Sequence, residues 1–329
     1  MKKWSLVVCS LLLLIVLAAC GKEESKIAVN ETVSKPLKVT LPTWTGYGPL
    51  FLAKEKGFFE KNGVDVELSI VEGLGERKAA LAGGKVDGMA TALDVQITLA
   101  GAGIPVKVVW LLDDSYGGDG ILVKNDINSV EDLKGKKMAF EVGSTSQLLA
   151  LTALAQGGLT EKDVTVIQMS AGDAGAAFAA GQVDAAVTWE PWLTKGAQAN
   201  GKVLLTTKDL PGIITDTISF KEDVIKNRPE DIKAFVKAMG EAMDYWKNNK
   251  KEANEIMAKG LSIDLAEFEA TETGLKFLAK EDNDNLFGLD GKKGSIYKST
   301  ENAIQFYKDQ KVIEKDVKAE DLIDPSFLK

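Results

Sequence analysis

The sequence contains no histidine in its 329 residues. This absence excludes every Ser-His-Asp or Cys-His catalytic arrangement and every metal site with histidine ligands. Histidine is also the side chain whose ordinary pKa lies closest to neutral pH, so the usual general base is missing. The composition therefore argues against an enzyme that works by general acid–base catalysis.

Cysteine is nearly absent as well, since only Cys9 and Cys20 occur and both lie near the start of the chain. Two lysines precede an apolar run from Leu6 to Ala19, which is typical of a secretory signal peptide. The run is shorter than the roughly 20 residues of a spanning helix. Residues 17–20, LAAC, resemble a bacterial lipobox. We expect residues 1–19 to be a signal peptide and Cys20 to be lipidated, in preference to an uncleaved membrane anchor.

Basic charge is also in short supply. The expected cleavage removes two lysines and no acid, which leaves 38 of the 40 basic side chains against 48 acidic ones, a net charge of −10. Such a surface repels nucleic acid and disfavours a polybasic contact with a membrane. We expect no nucleic-acid partner, and membrane contact through the lipid alone, on the extracytoplasmic face of the cell membrane. No thiol or disulfide would remain for chemistry.

The mature chain is expected to begin with a lipidated cysteine and a flexible tether. Residues 20–36 are polar after the cysteine and lack hydrophobic periodicity. The remaining residues, 37–329, are enough for two lobes of ordinary domain size.

A repeat organises this remainder. AALAGGKVDGMAT at 79–91 and AAFAAGQVDAAVT at 176–188 lie 97 residues apart, and each predicts a helix that ends at glycine before a strand. Strands and helices alternate from Leu37, and the same plan restarts at Ser129. This alternation predicts an α/β fold with parallel pairing and helices on both faces of each sheet.

Two short segments join the repeated units. GILVK at 120–124 and TISF at 217–220 are expected to be crossing strands between two lobes. We predict that lobe 1 comprises residues 37–122 plus 219–329 and that lobe 2 comprises residues 123–218. The helical segments after the second crossing are expected to pack back on lobe 1.

Four motifs carry a resemblance to a known family. They are W-x-G-Y-x-P-L-F-L-A-x-x-x-G-F-F at 44–59, A-L-A-x-G-x-V-D at 80–87, D-L-K-G-K-K at 132–137 and V-D-A-A-V-T-W-E-P-W at 183–192. Together they resemble the solute-binding lipoproteins of bacterial ABC importers, in the branch for nitrate, sulfonates, taurine and thiamine-related pyrimidines. The resemblance covers about residues 37–290.

The resemblance implies a two-lobed type II periplasmic-binding-protein fold with two crossing hinge strands, and it implies no catalysis. The expected partners are a small-molecule solute, an ABC permease and its ATPase; we expect a monomer without cofactor or metal. Ligands of open α/β sheets bind beyond the carboxyl ends of the strands. Two facing lobes would then form a clamshell that a solute holds closed.

Aromatic residues follow two of the predicted strands. Trp44 and Tyr47 lie among glycines and are interpreted as an aromatic wall of the cleft rather than a seal of the lobe edge. Trp189 and Trp192 follow the second repeat, where either one could belong to the core. Trp189 is the better ligand contact, because an aromatic face beside the carboxylate of Glu190 suits a cation.

The loop GSTS at 143–146 ends a strand and opens a long helix. Its N–H groups and the hydroxyls of Ser144 and Thr145 could hold a sulfonate or carboxylate. The alternative is an ordinary helix N-cap. The family resemblance favours a ligand contact at Ser144 and Thr145.

Acids dominate the predicted loops near the cleft, at Asp94, Asp113, Asp114, Asp119, Glu141, Glu190 and Asp216. Asp114 and Asp119 are interpreted as turn residues. No Lys or Arg occurs in the same loops, and a buried anion beside unpaired carboxylates is costly. We therefore predict a solute with a positive group. The candidate ligand-binding residues are Trp44, Tyr47, Asp94, Asp113, Glu141, Ser144, Thr145, Trp189, Glu190, Trp192 and Asp216.

The repeated acids Asp87 and Asp184 suggest paired catalytic carboxylates. Each starts a strand after a glycine cap, so we expect local backbone contacts at the end opposite the cleft, and we assign neither residue to the site. The sequence thus favours a receptor for a taurine-like or sulfonate-like zwitterion, or for an amine or guanidinium cation. The alternatives are a secreted enzyme of the same fold acting on a pyrimidine or amine, and a sensory lipoprotein that feeds a receptor.

Overall fold

The computed structural model describes residues 35–289 and 291–329. The predicted signal peptide, Cys20 and most of the tether lie outside these residues. Within this part of the chain, no helix is both long and apolar enough to cross a membrane.

Strands make up the two sheets of the protein. They are β1 Leu37–Leu41, β2 Val66–Ile70, β3 Gly88–Ala92, β4 Val106–Ser115, β5 Asp119–Val123, β6 Lys137–Phe140, β7 Thr165–Gln168, β8 Ala185–Trp189, β9 Lys202–Thr206, β10 Thr215–Lys221 and β11 Leu275–Phe277.

Helices connect the strands and form the C-terminal part. They are α1 Gly48–Glu55, α2 Phe58–Lys61, α3 Leu74–Ala82, α4 Leu93–Gly101, α5 Thr145–Gln156, α6 Ala171–Ala179, α7 Trp192–Asn200, α8 Glu222–Asn227, α9 Pro229–Asn248, α10 Lys250–Leu261, α11 Leu265–Glu272, α12 Lys280–Phe287, α13 Ser295–Asp309 and α14 Ala319–Leu322. As predicted, α3 and α6 are followed by glycines with left-handed backbone, Gly84 (φ 66°) and Gly181 (φ 73°), where a Cβ would be strained.

The first sheet has the strand order β11-β4-β10-β3-β1-β2. β1 pairs in parallel with β2 and β3, whereas β10 runs antiparallel to β3 and β4. β3 is buried along its whole length, as expected for a strand inside an α/β layer.

The second sheet repeats this plan in the order β7-β6-β8-β5-β9. β6 pairs in parallel with β7 and β8, and β5 runs antiparallel to β8 and β9. The directions match those of β2-β1-β3-β10-β4 in the first sheet. The predicted α/β duplication is therefore confirmed.

The chain passes between the sheets twice, from Ser115 to Asp119 and from Thr206 to Thr215. The predicted crossing segments 120–124 and 217–220 lie largely in β5 and β10, respectively. Each of these strands is inserted antiparallel beside the third strand of a sheet, β8 or β3.

The repeated acids lie at the amino ends of β3 and β8. The backbone N–H of Lys38 donates to Asp87 Oδ2 at 2.8 Å, and that of Lys137 donates to Asp184 Oδ2 at 3.0 Å. Both carboxylates thus tie one strand to its parallel neighbour. The predicted backbone contact is thus found for both residues, but the bonded N–H belongs to the neighbouring strand, 49 and 47 residues away in the chain, rather than to local backbone.

The C-terminal helices pack on the first sheet, as predicted. The ring of Phe235 in α9 stacks on Phe59 at 5.0 Å and meets Phe220 of β10 edge-on at 5.1 Å. All three rings belong to the hydrophobic cluster of the first sheet. The second sheet carries two smaller clusters of its own, which include Phe140 and Phe178.

Candidate ligand-binding site

A narrow cavity lies between the two sheets, at the carboxyl ends of β1, β3, β6 and β8. The space open to the centre of a water molecule is about 30 Å³. It is lined by Pro42, Trp44, Tyr47, Leu74, Arg77, Thr91, Ala92, Val95, Asp119, Glu141, Ser144, Thr145, Trp189, Ile214 and Asp216. Of the predicted ligand contacts, the structure brings together Trp44, Tyr47, Glu141, Ser144, Thr145, Trp189 and Asp216.

Trp44 precedes a short 3-10 turn after β1 and Tyr47 is its last residue; both are almost fully buried. The Trp44 indole donates to Asp113 Oδ1 at 3.2 Å, and the Tyr47 hydroxyl donates to Asp216 Oδ1. A Cβ on Gly46 would lie 1.9 Å from Asp113 Oδ2, so only glycine fits between the aromatic residues. The predicted aromatic wall is therefore also a set of donors for buried carboxylates.

Three carboxylates are buried at this side, all at most 5% exposed: Asp119 and Asp216 line the cavity, and Asp113 lies behind Trp44. Burial raises the pKa of Asp119 to about 7, even though the Ser115 hydroxyl donates to it at 2.6 Å. Burial, and then the nearby charge of Asp216, raises the pKa of Asp113. Burial also raises the pKa of Asp216 against the opposing hydrogen bond from Tyr47.

Asp119 and Asp216 occupy equivalent places in the duplication. DGILVK at 119–124 and DTISFK at 216–221 share Asp, Ile and Lys at the same 97-residue offset as the first repeat. Asp119 lies opposite Trp189 on β8, and Asp216 lies opposite Ala92 on β3. The interpretation of Asp119 as a turn residue is wrong, because it begins a buried crossing strand and lines the cavity. Extending the repeat past its first segment would have found it.

One cation, Arg77, reaches the cavity from α3, outside the loops in which the sequence shows acids without Lys or Arg. The Arg77 side chain lines the cavity, and its Nη1 donates to the carbonyls of Val71 and Glu72 at 3.0 and 3.1 Å. Burial lowers the pKa of Arg77. The prediction from the sequence concerns the loops, whereas Arg77 lies in a helix before a repeated strand. Its rarity was a signal, because only Arg77 and Arg228 are arginines in a lysine-rich chain.

The turn between β6 and α5, residues 141–145, forms one side of the cavity. Ser144 caps α5, because its Oγ accepts from the Ser146 N–H at 3.1 Å. The Ser144 hydroxyl also donates to the Glu141 carbonyl at 2.7 Å. The ordinary N-cap alternative is thus realised, and Ser144 and Thr145 line the cavity as well.

Unpartnered polar atoms remain at this side. Glu141 Oε1 accepts from the Leu74 N–H at 3.1 Å, whereas its Oε2 is buried without a partner. Within residues 35–289 and 291–329, Arg77 Nε and Ser146 Oγ are also buried without a partner. Unpaired buried polar groups are costly and are expected where a ligand completes a site.

Two predicted contacts, Asp94 and Asp113, lie behind the cavity wall rather than on it. Asp94 Oδ1 accepts from the Thr145 hydroxyl at 3.0 Å and Oδ2 from the Tyr307 hydroxyl at 2.8 Å. Asp113 lies beneath Trp44. The sequence placed both residues at strand ends but could not show that neighbouring side chains cover them.

Glu190 and Trp192 also lie away from the cavity lining. Glu190 accepts from the N–H and hydroxyl of Thr194, at 3.1 and 2.7 Å, and so caps the start of α7. Trp192 packs against Gly175 of α6, where a Cβ would lie 2.8 Å from the tryptophan Cβ. By contrast, Trp189 lines the cavity, and its indole donates to the Thr43 carbonyl at 3.2 Å.

Comparison with known proteins gives a family match. Residues 31–262 match the model of the NMT1-like family. A putative aliphatic sulfonates-binding protein of Bacillus subtilis (strain 168) is 28% identical over 350 residues, covering 100% of this chain and 96% of the relative. The taurine-binding periplasmic protein of Escherichia coli (strain K12) is 25% identical over 209 residues, covering 62% of this chain and 65% of the relative.

Solved structures share the fold. The alkanesulfonate-binding protein SsuA from Xanthomonas axonopodis pv. citri, bound to MOPS, superposes with a TM-score of 0.72 and 21% identity. The match covers 88% of this chain and 99% of that protein. The predicted periplasmic-binding-protein fold is therefore confirmed.

Proposed function

The chain belongs to the NMT1-like family, and from this premise we propose that it is an extracytoplasmic solute-binding receptor of an ABC importer. It captures a small solute between two lobes and delivers it to a permease and its ATPase. Each lobe contains one sheet, so the bounds expected from the sequence shift by a few residues, with β5 in lobe 2 and β10 in lobe 1. Cys20 anchors the protein through a lipid. The receptor is a monomer that performs no catalysis.

The solute we propose is a small zwitterion of the taurine or sulfonate type, with one amine and one acidic group. The observation that carries this choice is that Asp119 and Asp216 line the same cavity as Arg77. A plain anion would lie beside buried carboxylates and a plain cation beside a buried guanidinium, and either arrangement is costly. A zwitterion gives each charge a partner.

Each group of the solute has donors or acceptors in reach. The amine would be held by Asp119 and Asp216, with the faces of Trp44 and Trp189 as an aromatic enclosure. The acidic group would be held by the Arg77 guanidinium, which binds planar or trigonal oxyanions in fixed geometry. The α5 N-terminus, where Ser144 and Thr145 line the cavity, adds N–H groups.

A thermal-shift screen tests the proposal, because a ligand that binds only the folded state raises the melting temperature. The panel contains taurine, alkanesulfonates, nitrate, guanidinium, small amines, amino acids and an aminopyrimidine. We expect zwitterions to give the largest shifts. Asp119→Asn should abolish them. Asp114→Asn is the matched control, since this neighbouring carboxylate is bonded to the Thr215 hydroxyl at 2.6 Å and does not line the cavity.

Other outcomes discriminate between the alternatives. If only nitrate or plain alkanesulfonates raise the melting temperature, the protein is still a receptor, but the proposal of a zwitterionic solute is wrong. Conversion of a bound solute by the pure protein would indicate an enzyme instead.

A further inference from the structure

Three polar contacts join the turn at 141–145 to helices of the first sheet. The Leu74 N–H donates to Glu141 Oε1 at 3.1 Å. Lys78 Nζ donates to the Gly143 carbonyl at 3.0 Å, and the Thr145 hydroxyl donates to Asp94 Oδ1 at 3.0 Å. Since the turn follows a strand of the second sheet, these contacts hold the two sheets together beside the cavity.

Lys78 lies at the centre of this arrangement. Its Nζ also donates to the Thr98 hydroxyl of α4 at 3.0 Å, so one ammonium ties α3, α4 and the turn together. Burial lowers the pKa of Lys78, whereas the nearby charges of Asp94 and Glu141 favour its ammonium form. Burying half of the Lys78 ammonium costs desolvation free energy. Its hydrogen bond to a carbonyl on the second sheet's side offsets part of that cost.

Asp94 is the second fixed point. The Tyr307 hydroxyl of α13 donates to its Oδ2 at 2.8 Å and leaves Oδ1 to accept from Thr145. This residue is almost fully buried, and hydrogen bonds from both hydroxyls favour its ionised form against the effect of burial. The first sheet thus presents an oriented acceptor to the turn of the second.

We propose that Lys78 and Asp94 are positioning residues whose hydrogen bonds hold the turn at 141–145 against α3 and α4 and thereby set the affinity for the solute. We call these two contacts, Lys78 with the Gly143 carbonyl and Asp94 with the Thr145 hydroxyl, the clasp. The inference rests on the proposed function, because the solute binds between the sheets. Glu141, Ser144 and Thr145 of the same turn line the cavity. Contacts that favour the closed arrangement therefore contribute to capture although Lys78 and Asp94 do not touch the solute.

Hydrogen–deuterium exchange of the full chain in detergent, without solute, tests the clasp directly. In Lys78→Met and Asp94→Asn we expect the amides of residues 72–76 and 141–148 to exchange about tenfold faster, the effect of losing one charge-assisted hydrogen bond. Lys78→Arg retains a cationic donor and should restore slow exchange.

Lys54→Met is the matched control. The Lys54 Nζ also donates to a backbone carbonyl, that of Val66 at 2.8 Å. This contact joins α1 to β2 of the first sheet and does not connect the two sheets. Exchange at 72–76 and 141–148 should stay as in the unmodified protein. If Lys78→Met and Asp94→Asn leave these segments unchanged, or if all of α3 exchanges faster, the proposal is wrong.

Binding kinetics give a second readout with taurine as the probe. The clasp variants should release taurine about tenfold faster and keep the order of preference among the panel solutes, whereas Asp119→Asn should change that order. An unchanged release rate, or a changed order, in the clasp variants would overturn the proposal. If no panel solute binds the unmodified protein, the proposed function fails while the exchange experiment still decides the clasp.

Discussion

The corner formed by α3 and β3 and the corner formed by α6 and β8 share a scaffold but differ at the cavity. At the amino ends of the strands Asp87 and Asp184 make the same backbone contact. In the helices the offset of 97 residues aligns Arg77 with Ala174 and Lys78 with Gly175. One helix thus carries two charges where the other carries almost no side chain.

The difference has a packing reason. Small residues in α6 make room for Trp192, which lies 2.8 Å from the position of a Cβ on Gly175. At α3, the charged side chains of Arg77 and Lys78 instead reach the cavity and the turn at 141–145, respectively. The symmetric pair Asp119 and Asp216 therefore faces asymmetric cations, which suits a solute with two unlike ends.

The largest expected effect concerns the symmetric acids. Because the pKa of Asp119 rises from an ordinary 3.8 to about 7 on folding, the folded state binds more protons than the unfolded state between these values. Stability should then fall as the pH rises from about 4 to 7, by up to about 4 kcal/mol. Melting temperatures of the wild type and Asp119→Asn at pH 5 and pH 8 measure this contribution. The melting temperature of Asp119→Asn should rise relative to that of the wild type as the pH rises, because only the wild type must bury an ionised Asp119. A difference in melting temperature that stays constant would contradict the prediction.

The asymmetric cation comes next. Arg77→Met keeps much of the volume and removes one of the two charges that distinguish α3 from α6. We expect taurine to bind about 100-fold more weakly, since truncating one partner of a buried charge pair costs about 2–5 kcal/mol. Calorimetric titration measures the change. Arg228→Met, which removes the other arginine on the surface beside Asp231, should bind normally; equal losses in both variants would refute the assignment.

Replacing a glycine by alanine should change the free energy of unfolding in opposite directions in α6 and α3. Gly175→Ala in α6 forces a Cβ against Trp192 and should destabilise the protein by about 1–3 kcal/mol. Gly75→Ala in α3 meets nothing within 4 Å and should stabilise it by up to about 1 kcal/mol, because alanine is the better helix former. Urea unfolding compares the two. Similar shifts in the same direction would mean that the helices do not differ in packing.

The smallest effect is expected at the matched amino ends. Asp87→Asn and Asp184→Asn should each cost about 1 kcal/mol or less and leave solute affinity unchanged. Asp184 should cost more, because its ion pair with Lys124 at 2.6 Å is closer than that of Asp87 with Arg228 at 4.0 Å, and the contact with Lys124 lowers the pKa of Asp184. That contribution is present above the ordinary pKa and is lost as the pH falls. Unfolding at pH 7 and pH 4 tests this, and a loss of affinity would place these acids in the site.

The sequence predicted the scaffold because its signals are local. Glycine after a helix, buried β-branched strands and the repeat at 79–91 and 176–188 all act within a few residues. Trp44 and Tyr47 were found in the same way, since they follow the first strand directly. Strand ends therefore indicated which loops face the cavity.

What the sequence by itself determined is the duplicated α/β fold and the edge of each sheet where a solute could bind. Only the tertiary structure decided which charges meet there. Asp94 accepts hydrogen bonds from Thr145 and Tyr307, and Glu190 accepts one from Thr194, so neither carboxylate faces the cavity. Arg77, by contrast, reaches the cavity from a helix. The physical reason is that a side chain's role depends on partners far away in the chain, and burial then sets whether its charge is paired or left for a ligand.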